Sequence, residues 1–279
     1  MTAPTPCLAR SPSPAFRRDL LQQVAVRLGT DLIEEGQAPA GTRPSLGMPT
    51  GRGTWARISW HRPGWIFPRE FSGLEASTAV RGVPRPDFLQ AVHWTHGGFV
   101  CRAEEMTFVD QRTVSVGYVV DEPPRLPESW WTSLSLALVN LAATDTDRVS
   151  LVQEDIDRSI TQAFGGCADT TVSDWCIGHG DLHWGNVTAP ELFLLDWDSW
   201  GRVPRGLDAA KLWEASYRVP ELGAEIIERF PVLSTRDGLI SRVWVCANRV
   251  LGARRRGENT VQADHAHRAG MRLLRELAS

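Results

Sequence analysis

The chain has 279 residues, of which 42% are hydrophobic and 23% charged, and its formal net charge is -3 at pH 7. This length can bury one large core or two modest lobes, and so small a net charge gives no broad field that would attract nucleic acid or an anionic membrane surface. The five cysteines form no Cys-x-x-Cys pair, and no apolar run approaches the roughly 20 residues that span a bilayer, so we expect a cytoplasmic protein without a disulfide framework, a zinc ribbon or a membrane segment.

The first predicted element is a helix that follows a flexible tail. Residues 1–12 are rich in proline, serine and threonine and can bury little apolar surface, so we expect them to be flexible. Ser13 and a proline then precede apolar residues at helical spacing, and this series ends at Gly29. The pattern predicts an amphipathic helix with Ser13 at its N-cap and a glycine stop.

A glycine-rich turn and a strand are predicted next. Residues 41–67 are rich in glycine and proline, and within them the sequence TWARISW alternates its side chains with the period of a strand. Gly47, Gly51 and Gly53 precede this run. The simplest interpretation is a glycine-rich turn that leads into the strand.

A helix and two more strands complete the front part of the chain. Residues 69–81 predict a helix that carries Glu70 and Glu75. Residues 98–104 and 106–109 predict two strands. The front part is therefore expected to contain a small antiparallel sheet.

The rest of the chain is predicted to be mainly helical. Six segments have a helical period or composition, beginning with SWWTSLSLALVNLAA and ending with HAHRAGMRLLREL. This change in character predicts an α+β protein with two lobes, a small antiparallel-sheet lobe at 13–109 and a helix-rich lobe at 110–279. Pro123, Pro124 and Pro127 mark the expected seam between them.

Residues that suit phosphoryl transfer follow two apolar runs of the helix-rich part. The sequence HGDLHWGN lies between residues 175–177 and 192–195, and the second run ends directly in DWD. Phosphoryl transfer needs metal ions that bridge the phosphates and a carboxylate that orients the acceptor hydroxyl. In protein kinases these groups are an Asp and an Asn separated by four residues, followed by a second Asp, and Asp181, Asn186 and Asp196 have that arrangement.

HGDLHWGN and LLDWD resemble the motifs of the aminoglycoside phosphotransferase family and of its choline-kinase-like and homoserine-kinase-like relatives. The resemblance implies a bilobal protein-kinase-like fold. It implies that Asp181 is the catalytic carboxylate and that Asn186 and Asp196 are Mg²⁺ ligands. It further implies that His179 is a scaffold residue of the loop and that Asp208 braces the loop.

The resemblance implies a nucleotide site in the front lobe by layout. Gly47, Gly51 and Gly53 would form the turn over the phosphates, where the lack of Cβ atoms lets backbone N–H groups approach anionic oxygens. The following strand should carry a lysine paired with a helix glutamate, but Lys211 is the only lysine in the chain. Arg57 is the substitute, and Glu75 is its expected partner, although this exchange is not conservative.

Two further site predictions are less direct. The family binds adenine at the linker between the lobes, so Met106 to Val109 is the candidate hinge. Asp198 would share a side with Asp196 if the strand continued, which makes it a second metal or acceptor contact, and a solvated turn aspartate stays open as the alternative. His183 is interpreted as a polar loop residue without a chemical role.

The leading functional prediction is an O-phosphotransferase that uses Mg²⁺ with ATP or GTP and a hydroxyl of a small molecule such as an aminoglycoside-like compound. A Ser/Thr kinase of a biosynthetic precursor peptide is a close variant. The missing lysine leaves open a nucleotide-binding pseudokinase that recruits a partner protein. A metal hydrolase with His179, Asp181 and His183 as ligands is a further alternative.

Overall fold

The computed structural model describes residues 13–33, 45–64, 71–166 and 168–278. The tail predicted at 1–12 lies outside these residues, as does Glu70. The described residues form two compact units, one reaching to Thr78 and including Pro86–Asp110, the other comprising Ala79–Arg85 and the residues from Gln111 onward. The sequence-based boundary between 109 and 110 stays a prediction. Among the described helices, none has the length and apolar character that a bilayer crossing requires.

Helix α1 spans Pro14–Leu28 in the first unit, as the sequence predicts. The hydroxyl of Ser13 accepts the backbone N–H of Phe16 at 3.2 Å, and Gly29 ends the helix with a φ of 68°. Both ends therefore follow the chemistry of their residues, a side-chain N-cap and a left-handed glycine.

A four-stranded antiparallel sheet forms the rest of the first unit, in the order β1-β2-β4-β3. The strands are β1 Ser45–Pro49, β2 Thr54–His61, β3 Phe88–His96 and β4 Phe99–Thr107. One face packs on α1, through a buried cluster of Leu20, Leu21, Val24, Leu28, Met48, Ala56, Ile58, Trp60, Cys101 and Ala103. Burying this apolar surface is the main stabilising contribution to the unit.

Two predictions in this unit are wrong in their boundaries. The strands expected at 98–104 and 106–109 are one uninterrupted strand, β4, whose hairpin partner β3 was not predicted. Of the helix expected at 69–81, residues 69 and 70 lie outside the described residues and Phe71 is helical. Helix α2 spans Gly73–Ala76 and is followed by a 3-10 turn at Ser77–Ala79, so the helical segment ends shortly before the predicted end.

The second unit is mostly helical. Its helices are α3 Glu128–Ala142, α4 Gln153–Phe164, α5 Leu207–Ala215, α6 Pro220–Arg229, α7 Arg236–Arg256 and α8 Val261–Leu277. The long helix α7 packs against α4, α5 and α8. Two short antiparallel pairs complete the unit: β5 Arg112–Thr113 with β7 Thr188–Ala189, and β6 Trp175–Gly178 with β8 Gly201–Pro204.

Candidate active site

The loop at residues 179–186 leaves the end of β6 and passes close to the turn after Asp196. Gly180 has a φ of 76°, and a Cβ atom at this position would lie 2.3 Å from the backbone oxygen of Ser199. Only glycine fits this combination of left-handed conformation and close approach. The other glycine of the loop, Gly185, is equally confined, because a Cβ atom there would lie 2.6 Å from the backbone oxygen of Gly117.

Asp208, at the start of α5, fixes the first half of the loop. Its two carboxylate oxygens accept the backbone N–H groups of His179 at 2.7 Å and of Gly180 at 2.8 Å. Asp208 is 7% exposed, so these charge-assisted hydrogen bonds form in a sheltered environment. Asp208 thus contacts the loop at two neighbouring amides, and its bracing role stays a prediction.

His179 ties the loop to the apolar run that precedes Asp196. Its Nε2 donates to the backbone oxygen of Leu195 at 2.9 Å, and its Nδ1 accepts the backbone N–H of Asp181 at 3.4 Å. The ring is fully buried, with an edge contact to Trp197 at 5.2 Å between ring centroids. Both ring nitrogens are therefore hydrogen-bonded to the backbone, and the scaffold role of His179 stays a prediction.

Asn186 joins the two halves of the motif. Its backbone oxygen accepts the N–H of Leu195 at 2.9 Å, and its side-chain Nδ2 donates to the backbone oxygen of Asp181 at 2.9 Å. Because Leu195 directly precedes Asp196, this pairing brings Asp181, Asn186 and Asp196 into one region of the unit. The bond from Nδ2 also turns the other end of the amide, Oδ1, away from that carbonyl.

Asp196 has a backbone conformation that residues other than glycine rarely adopt. Its φ of 59° and ψ of 69° make it the one residue other than glycine with a positive φ in the part of the chain that the structure describes. Such a conformation costs roughly 1 kcal/mol, and residues of this kind cluster at functional sites. The preceding residue, Leu195, is hydrogen-bonded to both Asn186 and His179, which fixes the chain as it enters Asp196.

The strand does not continue beyond Asp196, so the condition under which Asp198 would share a side with Asp196 is not met. The chain leaves the extended conformation at Asp196, and Trp197–Ser199 form a 3-10 turn, so strand alternation no longer determines the direction of Asp198. Arg148 braces this turn by donating to the backbone oxygens of Asp198 at 3.3 Å and Trp200 at 3.1 Å. The Asp198 side chain is 9% exposed.

The donor set suits a magnesium ion better than zinc. Asn186, Asp196 and Asp198 offer amide and carboxylate oxygens, which Mg²⁺ binds together with water and substrate phosphates. Within the described residues, no three His, Cys, Asp or Glu side chains are grouped so as to hold a metal ion alone. A zinc site built from His179, Asp181 and His183 therefore has no support, since Nε2 of His179 is bonded to a backbone oxygen.

Asp181 has a cationic partner that the sequence analysis did not find. The ammonium group of Lys211, on α5, lies 2.7 Å from Oδ1 of Asp181. Burial opposes ionisation of this carboxyl, but the charge and hydrogen bond of Lys211, aided by the nearby imidazoles, lower its pKa well below the usual value. A signal was present in the sequence, because Lys211 lies three residues after Asp208 and thus on the same helix face.

His183 is part of a second cluster beside Asp181. Burial lowers the pKa of His183 to about 4, against the opposing charge of Asp181, so the ring is neutral at pH 7. Tyr118 lies against it with ring centroids 4.6 Å apart, and the Arg249 guanidinium is 4.0 Å from the Tyr118 ring centroid. Arg249 also donates two hydrogen bonds to the buried carboxylate of Glu214, at 3.1 and 3.0 Å.

In the first unit, Glu75 does not pair with Arg57, and that prediction is wrong. Glu75 instead accepts a hydrogen bond from Nη2 of Arg102 at 2.9 Å. The strand register places Arg57 opposite Glu104, and Arg102 bonds Glu104 at 2.7 Å. The guanidinium that reaches the glutamate of α2 is therefore that of Arg102, which shares a sheet face with Arg57.

The glycines of the predicted phosphate turn have different positions. Gly47 is not in the turn but in β1, where a Cβ atom would lie 2.7 Å from the Trp55 indole, so that expectation is wrong. Gly51 and Gly53 do lie in the turn between β1 and β2. Their backbone N–H groups donate to Asp31 and Thr50 at 2.9 and 3.1 Å. Both amides are thus engaged within the unit.

The candidate hinge is split between a strand and a loop. Met106 lies in β4 and is 8% exposed, whereas Val109 follows the end of the strand. Phe108, between them, stacks on Trp55 with ring centroids 5.9 Å apart. The adenine-binding role of Met106 and Val109 stays a prediction.

No protein-family model matches the sequence, and no curated protein matches it. Solved structures, however, match its fold. Aminoglycoside phosphotransferase APH(4)-Ia is 12% identical, with 94% of this chain and 100% of that chain covered and a TM-score of 0.61. Macrolide 2'-phosphotransferase type I is 14% identical, with 96% and 99% covered and a TM-score of 0.55.

An amicoumacin kinase is similar at the same level, with 11% identity, 93% of this chain and 92% of that chain covered, and a TM-score of 0.55. By their names, all three of these structures are kinases or phosphotransferases. Fold alone does not assign a reaction. The chain has the fold of aminoglycoside-phosphotransferase-like kinases, which confirms the α+β, protein-kinase-like fold class that the sequence motifs implied.

Proposed function

We propose that the protein is an O-phosphotransferase that moves the γ-phosphoryl group of a nucleoside triphosphate to a hydroxyl of a small molecule. The observation that carries the proposal is the pair of hydrogen bonds of Asn186, to Asp181 and to Leu195, which brings Asp181, Asn186 and Asp196 together. A carboxylate beside oxygen ligands for a divalent ion is the arrangement that phosphoryl transfer needs.

In this proposal Asp181 is the catalytic carboxylate. It accepts a hydrogen bond from the acceptor hydroxyl and receives its proton as the new O–P bond forms and the bond to the nucleoside diphosphate breaks. Its low pKa makes it a weak base, so its main task is to orient the hydroxyl while the proton moves late. His179 and Asp208 hold the loop and touch no reacting atom.

Asn186 and Asp196 would hold Mg²⁺, with Asp198 as a further candidate ligand. The ion would neutralise negative charge on the phosphates. In the first unit, Arg57 is the candidate for a phosphate contact, with Gly51 and Gly53 as the turn before it and Met106 and Val109 as the candidate hinge.

The ligands of the similar structures support our proposal for the acceptor and the nucleotide. APH(4)-Ia has been solved with AMP-PNP and hygromycin B, and the amicoumacin kinase with AMP-PNP, Ca²⁺ and its ligand. These complexes support ATP with a divalent ion, GTP remaining the alternative nucleotide, and a natural-product or aminoglycoside-like hydroxyl as the acceptor. A peptide hydroxyl is the alternative acceptor, and the acceptor panel described below includes peptides for this reason.

One observation favours a second candidate, a nucleotide-binding protein without transfer activity. The glutamate that should pair with a phosphate-binding lysine is bound to the buried Arg102, and Lys211, the only lysine in the chain, lies in the second unit. Such a protein would bind magnesium-ATP, recruit a partner protein and consume no phosphate with any acceptor.

The test is phosphoryl transfer by Asp181→Asn against a panel of aminoglycosides, amino alcohols, macrolides and peptides. We expect transfer to fall by at least about 1,000-fold because the acceptor hydroxyl loses its carboxylate, whereas the nucleotide dissociation constant stays within about threefold. Asp155→Asn, at an exposed carboxylate paired with Arg158, is the matched control and should leave both unchanged. Wild-type turnover in Asp181→Asn would contradict the assignment.

A further inference from the structure

The ion pair between Lys211 and Asp181 is unusual in this chain. Arginine fills every other basic position, yet the residue that binds the candidate catalytic carboxylate is the single lysine. The Lys211 side chain is 15% exposed and that of Asp181 is 35% exposed, so the pair is partly sheltered from solvent. Partial shelter strengthens the attraction relative to an exposed surface pair.

Helix α5 holds the loop at two neighbouring points. Asp208 binds the backbone N–H groups of His179 and Gly180, and Lys211, three residues later on the same face, binds the side chain of Asp181. The helix therefore fixes both the backbone that leads to Asp181 and the direction of its carboxylate. A short, regular helix is a rigid support for such a contact.

A lysine and an arginine at position 211 would differ in how many carboxylate oxygens of Asp181 they leave accessible. An ammonium group is a compact donor that can bind one carboxylate oxygen, as Lys211 binds Oδ1, whereas a guanidinium fork tends to bind both oxygens at once. An acceptor hydroxyl needs one carboxylate oxygen for its own hydrogen bond. The lysine meets this need, and an arginine in its place would compete with the acceptor.

The other cation close to this cluster cannot replace Lys211. Arg249 acts on His183 and Tyr118, but it donates two hydrogen bonds to the buried Glu214, which also accepts one from Gln262 at 3.0 Å. The positive charge of Arg249 is therefore paired with the negative charge of Glu214. Among the residues that the structure describes, Lys211 is the cation bonded to Asp181.

We propose that Lys211 is the positioning residue of the transfer step, binding one oxygen of Asp181 so that the other oxygen faces the acceptor hydroxyl. This inference rests on the proposed function, in which Asp181 receives that hydroxyl. Loss of such orientation is costly, since a displacement of about 1 Å at a reacting group can lower a rate by about 100-fold.

The test compares Lys211→Met and Lys211→Arg in the full-length protein, with magnesium-ATP as substrate and water as acceptor, by phosphate release. We expect Lys211→Met to lower kcat by about 10- to 100-fold while the KM for ATP stays within about threefold, because Asp181 loses its fixed direction. Lys211→Arg keeps the charge and should preserve the melting temperature, but its kcat should remain low because the fork occupies both oxygens.

Each outcome decides between the two proposals. Arg158→Met, which removes an exposed ion pair, is the control and should not change kcat. If Asp181→Asn abolishes release but Lys211→Met stays within twofold of the wild-type kcat, or Lys211→Arg restores it, the inference about Lys211 is overturned and the proposed function stands. If Asp181→Asn is fully active, or the wild type transfers phosphate neither to water nor to any acceptor of the panel used to test the proposed function, the proposed function fails and the inference fails with it.

A spectroscopic measurement tests the contact apart from turnover. Protein grown with ¹³C-labelled lysine has one labelled side chain, so its ε-methylene signal reports on Lys211 alone. We expect this signal to lie away from that of free lysine in the wild type and to move towards it in Asp181→Asn, and not in Asp155→Asn. Identical signals in the wild type and Asp181→Asn would contradict the contact.

Discussion

Two carboxylates of the molecule invite comparison, Glu75 in the first unit and Asp181 in the second. Each was predicted as a site residue, and each binds a cation that the sequence analysis did not assign to it, Arg102 or Lys211. Arg102 is 1% exposed and also bonds Glu104 and His93, whereas Lys211 is 15% exposed and bonds one oxygen of one carboxylate. The first cation is fully engaged by its own unit, and the second leaves its carboxylate able to bind something else.

The largest expected effect tests the first half of this comparison. Arg102→Met should lower the free energy of unfolding by about 3 to 5 kcal/mol, because it breaks a buried ion pair and removes the two hydrogen bonds that Arg102 donates to the carboxylate of Glu104. Urea denaturation at pH 7.5 measures the change. Arg62→Met, at an exposed position after β2, is the control and should stay within about 0.5 kcal/mol of the wild type.

If Arg102→Met lowers the free energy of unfolding no more than Arg62→Met does, Arg102 does not stabilise the fold as we infer. The distinction between a fully engaged cation and one that leaves a carboxylate oxygen accessible would then be lost.

The comparison also shows what the sequence could predict. The motif HGDLHWGN lies within eight consecutive positions, and its contacts with Leu195 follow from a short connection, so local spacing was enough to identify Asp181, Asn186 and Asp196 as neighbours. The same holds for α1, whose ends are fixed by Ser13 and Gly29.

The partners of the carboxylates could not be predicted in this way. Glu75 and Arg102 are 27 residues apart, and their contact depends on the hairpin of β3 and β4, of which β3 was not predicted. Asp181 and Lys211 are 30 residues apart and meet only because α5 returns to the loop. Gly47 was assigned to the turn by composition, whereas packing of the Trp55 indole explains it.

A second prediction sharpens the role of α5 in the comparison. Asp208→Asn should lower the free energy of unfolding by about 2 to 3 kcal/mol, because an amide has one acceptor oxygen for the two N–H groups that the carboxylate now binds and turns its own NH₂ towards the other. Urea denaturation again measures the change. Asp155→Asn, at the surface, should cost less than about 0.5 kcal/mol.

An effect of Asp208→Asn no larger than that of Asp155→Asn would mean that the loop holds its own conformation without α5. The position of Asp181 beside Lys211 would then depend on contacts other than those between Asp208 and the loop.

The smallest effect concerns the imidazoles of the two networks. Burial and the charge of Arg102 lower the pKa of His93, and burial lowers that of His183 from 6.5 to about 4. Between pH 6.5 and pH 4 the folded state, which holds His183 neutral, binds fewer protons than the unfolded chain. The free energy of unfolding is therefore unaffected by His183 above pH 6.5 and decreases as the pH falls towards 4. From pH 7.5 to pH 5 this loss amounts to about 2 kcal/mol.

His183→Asn removes this loss while keeping an acceptor where Nδ1 receives the backbone N–H of Gly185 at 3.1 Å. We expect the variant and the wild type to have similar free energies of unfolding at pH 7.5, and the variant to lose about 2 kcal/mol less on going to pH 5. Urea denaturation at the two pH values gives the difference. The comparison of the two proteins at pH 7.5 serves as the control, because residue 183 is uncharged in both at that pH. Parallel losses in the two proteins would show that His183 titrates as an ordinary surface histidine, and the sheltered environment that we assign to Asp181 and Lys211 would not extend to their nearest imidazole.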